Sequence, residues 1–215
     1  MGSVRKFRKM NSPVLGYTPE DIIEFQDHIR NCVGPFGDDV LHDKKNLCGV
    51  HIDIVVVWPR HEDPYIHLIT MGAGAYLMPD GNRAEFMISL PKDWPMDMES
   101  WSDERNYWPI RLLQDAAHFP ISKSTSLDWL HTIYHERHYS IDTMQCGCMF
   151  MSLPSFEMVQ LSSGKTVKIL QIVPLYLQEI VRCHMDGNDH VASEIKTYFA
   201  DANCFVVSPR RALCL

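Results

Sequence analysis

The chain has 215 residues, 46% of them hydrophobic and 22% charged. These proportions exclude wholesale disorder and fibrous architecture, and the length suits one large domain able to bury about 70% of its extended-chain surface. Twenty Lys and Arg stand against 27 Asp and Glu, a formal net charge of −7, which argues against non-specific nucleic-acid binding and would suit a basic protein partner.

Thr18-Pro19-Glu20-Asp21 opens the first helix signal: a capping residue, a proline at the first helical position and two acids at the positive end of the dipole. Ile22, Phe25, Ile29 and Val33 follow at helical spacing, and Gly34-Pro35 stops the run. His51 to Trp58 reads as a strand, with Ile52, Ile54, Val56 and Trp58 on one face. Val55 and Val57 make the other face apolar too, so a central strand covered on both sides is expected. A turn-like stretch from Pro59 to Pro64 leads to a returning strand, Tyr65 to Met71. Arg83 to Leu90 alternates as a third strand, ended by Pro91.

Lys92 to Tyr107 is a long irregular stretch holding Trp94 and Trp101, of a length that is either functional or packed by its own aromatics. A helix is expected from Pro109, with Ile110, Leu113 and Ala117 on one face and Pro120 closing it. Ser122 to Ile141 is ambiguous. Gly147 to Leu153, Phe156 to Leu161 and Thr166 to Val173 read as strands, the last two joined by a Ser163-Gly164 turn. Leu177, Ile180, Val181 and His184 make a one-sided helix ending near Gly187, and Val191 to Phe199 a last helix. Strands in pairs with helices between them imply an α+β fold: a mixed, largely antiparallel sheet covered by helices.

The seven cysteines are scattered and odd in number, which points to a reducing, cytoplasmic setting rather than a disulfide framework. Basic residues near the N-terminus have no apolar stretch behind them, so a secretory signal is not expected. Lys6 and the position of Cys214 exclude myristoylation and prenylation motifs. The longest apolar run, Ile54 to Trp58, is too short to span a membrane.

Phosphate-cradling loops are missing. Gly72-Ala73-Gly74 is the nearest approach and lacks both the Lys and the following helix, and Gly164-Lys165-Thr166 lies in a hairpin turn. There is no Gly-x-Ser-x-Gly nucleophile elbow. His131 and His135, four apart, precede Cys146 and Cys148, and neutral imidazole and thiolate are zinc ligands, so a metal-dependent hydrolase stands as an alternative. The absence of His-Glu-x-x-His and the Cys-x-Cys spacing argue against it. His51 with Asp53, and Arg83 with Glu85, each share one face of a strand, either as a structural ion-pair network or as a recognition surface. Trp94, Trp101, Trp108 and Trp129 are either core or interface anchors.

Four stretches together resemble the Suppressor of fused domain family. They are His51-Ile52-Asp53-Ile54 through Trp58-Pro59, Pro64-Tyr65 and Leu68-Ile69-Thr70-Met71-Gly72; Arg83 through Pro91 with Asp93-Trp94; Trp108 through Leu113, Phe119-Pro120 and His131-Thr132-Ile133; and Leu170 through Tyr176 with Glu179. The resemblance implies a fold like the N-terminal lobe of the animal protein, a scaffold that binds Gli transcription factors. It also implies kinship with small bacterial members thought to act as immunity proteins against polymorphic toxins. Two departures stand out. Where the family shows Met-Ser-Asp after the glycine, Ala73, Gly74 and Ala75 follow Gly72, and Leu130 replaces the glycine before the His-Thr pair.

The expectation is therefore a non-enzymatic, cytoplasmic protein-binding domain, an immunity protein that neutralises a toxin by direct binding. A metal-dependent hydrolase and a scaffold in a signalling assembly are the alternatives. Contacts are expected from residues 92–107 and from Asp53, Arg83, Glu85, Trp94, Trp101 and His131, with no catalytic residue, cofactor, metal, nucleic acid or membrane involved. The domain is placed at 18–200, between a flexible N-terminal flank, 1–17, and a C-terminal tail, 201–215.

Overall fold

The computed structural model describes residues 17–37, 39–42 and 50–214; most of the expected N-terminal flank and Cys48 lie outside the described residues. Helix α1, Pro19–Cys32, begins as its sequence dictates. Thr18 Oγ1 accepts from the Asp21 N–H and the Asp21 carboxylate accepts from the Thr18 N–H, a reciprocal cap that satisfies two orphan donors. Phe25 and Ile29 form its buried stripe, and the chain turns away at Gly34, where φ is +153°.

Strands β1 (Val40–His42), β2 (Asp53–Val57), β3 (Tyr65–Met71) and β4 (Ala84–Pro91) form an antiparallel meander, with Val55 opposite Ile69 and Leu68 opposite Ile88. Helix α2, Glu104–Lys123, leads to β5 (Thr132–Tyr134), β6 (Gln145–Met151), β7 (Met158–Gln160) and β8 (Thr166–Tyr176). Helices α3 (Leu177–Asp186) and α4 (Asn188–Tyr198) follow without a long connection. The strand order is β1-β2-β3-β4-β8-β6-β5, with β7 on β8, and β4 with β8 is the parallel pair that joins the two halves. The expected mixed, largely antiparallel sheet with helical cover is the fold found.

Alternation sorts the core into two layers. Val55, Val57, Ile69, Met87, Ile169 and Val173 face α1, α3 and α4. Ile52, Ile54, Val56, Leu68, Phe86, Ile88, Leu170 and Ile172 face α2. Strand β2 is covered on both sides as expected, but it lies second from the edge, beside the three-residue β1. Periodicity reports which faces are buried and says nothing about lateral position.

Several strand and helix ends shift by two or three residues from expectation, and two differences are larger. Helix α2 starts five residues before Pro109, capped by Asp103, and runs past Pro120 to a left-handed Ser124 at φ +48°. Both prolines forfeit a backbone bond, and the burial of Trp108, Leu112, Leu113 and Ala116 offsets that loss. The segment expected as a C-terminal tail is part of the core. Beyond the paired residues Met87 and Gln171 the chain near Phe205 meets both strands: Val206 bridges Ser89, and Phe205 exchanges hydrogen bonds with the Gln171 amide. Farther on, the buried Arg211 forks onto Glu179, with both Nη–Oε distances 2.6 Å.

Candidate functional site

Glu85 projects from β4 toward α1 and is fully buried. Its Oε1 accepts from the Tyr17 hydroxyl (2.9 Å) and from the N–H groups of Gly72 (2.8 Å) and Gly74 (2.9 Å). Its Oε2 accepts from Thr70 Oγ1 (2.6 Å) and the Ala73 N–H (3.2 Å). Gly72-Ala73-Gly74 is thus a cradle of donors, and what it holds is a carboxyl group of the chain itself. The glycines are required here: Gly72 has φ +123°, and a Cβ on Gly74 would stand 2.2 Å from the Tyr17 hydroxyl oxygen. Burial pushes Glu85 up to about 7, against donors that favour the ionised form. Arg83 closes the turn from outside, donating to the carbonyls of Gly74 (3.0 Å) and Ala75 (2.7 Å).

Trp94 and Trp101 are half-buried, and their indole N–H groups donate inward to the carbonyls of Asn106 (2.9 Å) and Pro95 (3.1 Å). Residues 92–103 therefore form a shaped loop standing on its own aromatics, with Trp94 edge-on to the buried Trp108. Along it Asp93, Asp97 and Glu99 are exposed, the last two flanking a Met98 that is 80% exposed, and at the start of α2 the exposed Glu104 pairs with Arg111. His131 is exposed on the stretch before β5, its Nδ1 accepting from the Asp128 N–H, while Asp128 pairs with Lys168 at 2.6 Å. Lys168 pairs with Ala84 in the sheet, which brings His131 toward Arg83. Asp53, opposite Met71, shares the Glu85 end of the sheet, and Trp94 follows the far end of β4. The six residues expected to make contacts therefore do not form one surface, and Glu85 is an internal brace. Strand period singled it out beforehand, but no signal tied it to the Gly72-Ala73-Gly74 turn that lies 13 to 11 residues upstream.

The His131, His135, Cys146 and Cys148 cluster does not assemble. A bulge between Gln145 and Gly147 reverses the alternation of β6, so Cys146 joins the layer under α3 while Cys148 joins the layer under α2. Burial also pushes the Cys148 thiol up to about 12.

Three groups of another kind do meet. His42 Nδ1 lies 2.7 Å and His51 Nε2 2.9 Å from the same Asp53 Oδ1, on one face at the sheet edge. His51 and Asp53 were paired by period two. His42 was missed because a three-residue edge strand has no readable period.

A cleft of about 700 Å³ opens between the end of α1, the turn before β3 and the end of α4, lined by Arg60, Asp63, Lys196 and Phe199 among others. Asp63 and His67 line it, and behind them Ser89 and Gln171 complete a hydrogen-bonded row at 2.8, 2.9 and 2.8 Å. The order resembles a hydrolytic triad, but Ser89 is fully buried beside Phe205. The row joins three strands and offers no nucleophile to the cleft.

The fold and these internally spent acids define an α+β sandwich in which one sheet carries helices on both faces. A comparison with protein families matches residues 49–212 to the family described as Suppressor of fused protein (SUFU), and the chain belongs to that family. Among solved structures, Drosophila Suppressor of Fused matches with a TM-score of 0.66 at 14% identity over 91% of this chain, which spans 51% of the Drosophila one. A Sufu–Fu complex matches with TM-score 0.65 at 14% identity, covering 91% of this chain and 93% of that one. A SUFU homologue from Neisseria gonorrhoeae matches with TM-score 0.58 at 17% identity, covering 91% and 97%. A search of curated proteins returns no match. Ala73 contributes only its backbone N–H to the cradle around Glu85, and Leu130 holds a left-handed φ of +66°, which glycine adopts without strain.

Proposed function

We propose that this chain is a non-enzymatic protein-binding module whose loop 92–107 docks a basic protein, and that this protein is a toxin neutralised by occlusion in the cytoplasm. The observation that carries the reading is the loop itself: exposed acids around Met98, held on an inward-facing Trp base that lowers the entropy cost of binding. The net charge of −7 adds long-range steering toward a basic surface. A relative solved as a Sufu–Fu complex supports partner binding by this fold. Partner binding is equally compatible with a second reading, a scaffold in a signalling assembly.

The test is co-expression with the product of the adjacent gene. Rescue of growth together with a stable complex supports immunity, whereas binding without rescue supports the scaffold. If neither occurs, the immunity reading falls. Within a confirmed complex, Asp97→Lys with Glu99→Lys should slow association about tenfold or more at low salt. An unchanged rate would move the interface away from this loop.

A further inference from the structure

We infer that His42, His51 and Asp53 form a site for a divalent first-row cation, with Zn2+ the expected occupant, that clips edge strand β1 to β2. The proposal is independent of the docking reading. Its three donor atoms, Nδ1 of His42, Nε2 of His51 and a carboxylate oxygen of Asp53, lie within 4.8 Å of one another. They come from two strands in fixed register: His42 stands directly opposite Asp53, and His51 precedes Asp53 by two residues on the same side. The Asp53 side chain is 5% exposed, whereas the imidazoles are 40% and 37% exposed, so the anion is anchored and the open side faces water.

The spacing suits a small cation. Metal–nitrogen and metal–oxygen bonds of about 2.0–2.1 Å place neighbouring donors about 3.0 Å apart in octahedral and about 3.4 Å apart in tetrahedral coordination. The carboxylate–imidazole separations are 2.7 and 2.9 Å. Small rotations of two partly exposed rings open these to coordination distance. Each ring then turns a lone pair toward the centre and carries its proton on the other nitrogen. The cation then balances the buried Asp53 carboxylate. Two imidazoles and one carboxylate are a donor set for zinc, nickel or copper rather than magnesium or calcium. Three protein ligands leave at least one position for water.

The mechanical consequence follows from topology. Strand β1 is three residues long and lies at the end of the sheet. A metal bridging it to β2 ties down an element that otherwise holds by a few ladder bonds.

The experiment is titration of the chelator-treated full chain with Zn2+, followed by calorimetry and thermal melting. One saturable Zn2+ per chain is expected, with a Tm rise of about 5–10 °C at a hundredfold excess over Kd. His51→Ala, on a partly exposed side chain, should weaken binding at least about tenfold and abolish the Tm rise. Asp53→Asn should do the same. If Asp53→Asn does not fold, His42→Ala takes its place. His131→Ala and His135→Ala should leave affinity unchanged. Absence of saturable binding overturns the proposal. So does binding that survives His51→Ala but is lost in His131→Ala.

Discussion

Glu85 and Glu179 are both fully buried carboxylates, and the sheet accommodates them in opposite ways. Glu85 is surrounded by neutral donors, three of them backbone N–H groups and one the hydroxyl of Tyr17. Glu179 meets a full counter-charge, the guanidinium of Arg211, and also accepts from the N–H groups of Tyr176 and Cys214. Burial by itself would lower the Arg211 pKa, but the Glu179 carboxylate holds it above the ordinary value. Each acid also fastens a part of the chain remote in sequence: Tyr17, before α1, reaches Glu85, and Arg211, after α4, reaches Glu179. These two buried acids therefore attach the flanking segments to the sheet. A neutral socket depends on pH, and an ion pair depends on its partner.

The strongest way to break this contrast is Arg211→Ala, which strands the Glu179 carboxylate and should cost about 3–5 kcal/mol in urea unfolding. Glu179→Leu with Arg211→Met should recover most of that loss, because an apolar pair of similar volume avoids the desolvation. A loss under about 1 kcal/mol for Arg211→Ala would mean that the pair is no anchor.

The socket is tested by pH. Glu85 is raised from 4.5 to about 7, so the folded chain keeps a proton that the unfolded chain has released. Its contribution is complete below pH 4.5 and is lost as pH rises to about 7, a decline on the order of 3 kcal/mol. Glu85→Gln removes this slope. A slope that persists in the Gln variant belongs to another group. Smaller again is Tyr17→Phe, which deletes one donor to the carboxylate and should cost about 2 kcal/mol. A null result there would detach the start of α1 from the socket.

Much of the fold was legible because local signals agreed. The Thr18 cap, the alternation of β4 and the two-sided apolar run of β2 each correspond to the element found, while the reciprocal bond from Thr18 to Asp21 was visible only in the structure. Proline signals failed in α2 because the burial of its apolar face outweighed them. The candidate site was legible only in fragments. Period two paired His51 with Asp53 and Arg83 with Glu85, yet it could not tell a solvent-facing pair from an interior one. The aromatic loop was recognised, while the inward aim of its indoles was visible only once Asn106 and Pro95 were in place.

The sequence by itself determined the alternation of strands and helices, the apolar faces and the acidic balance, because these depend on neighbours within a few turns or pleats. Tertiary structure alone decided that His42 meets Asp53, that a bulge parts Cys146 from Cys148, and that Phe205 and Val206 seat against Gln171 and Ser89 respectively. Those outcomes rest on register, strand order and long-range closure, which local periodicity leaves undetermined.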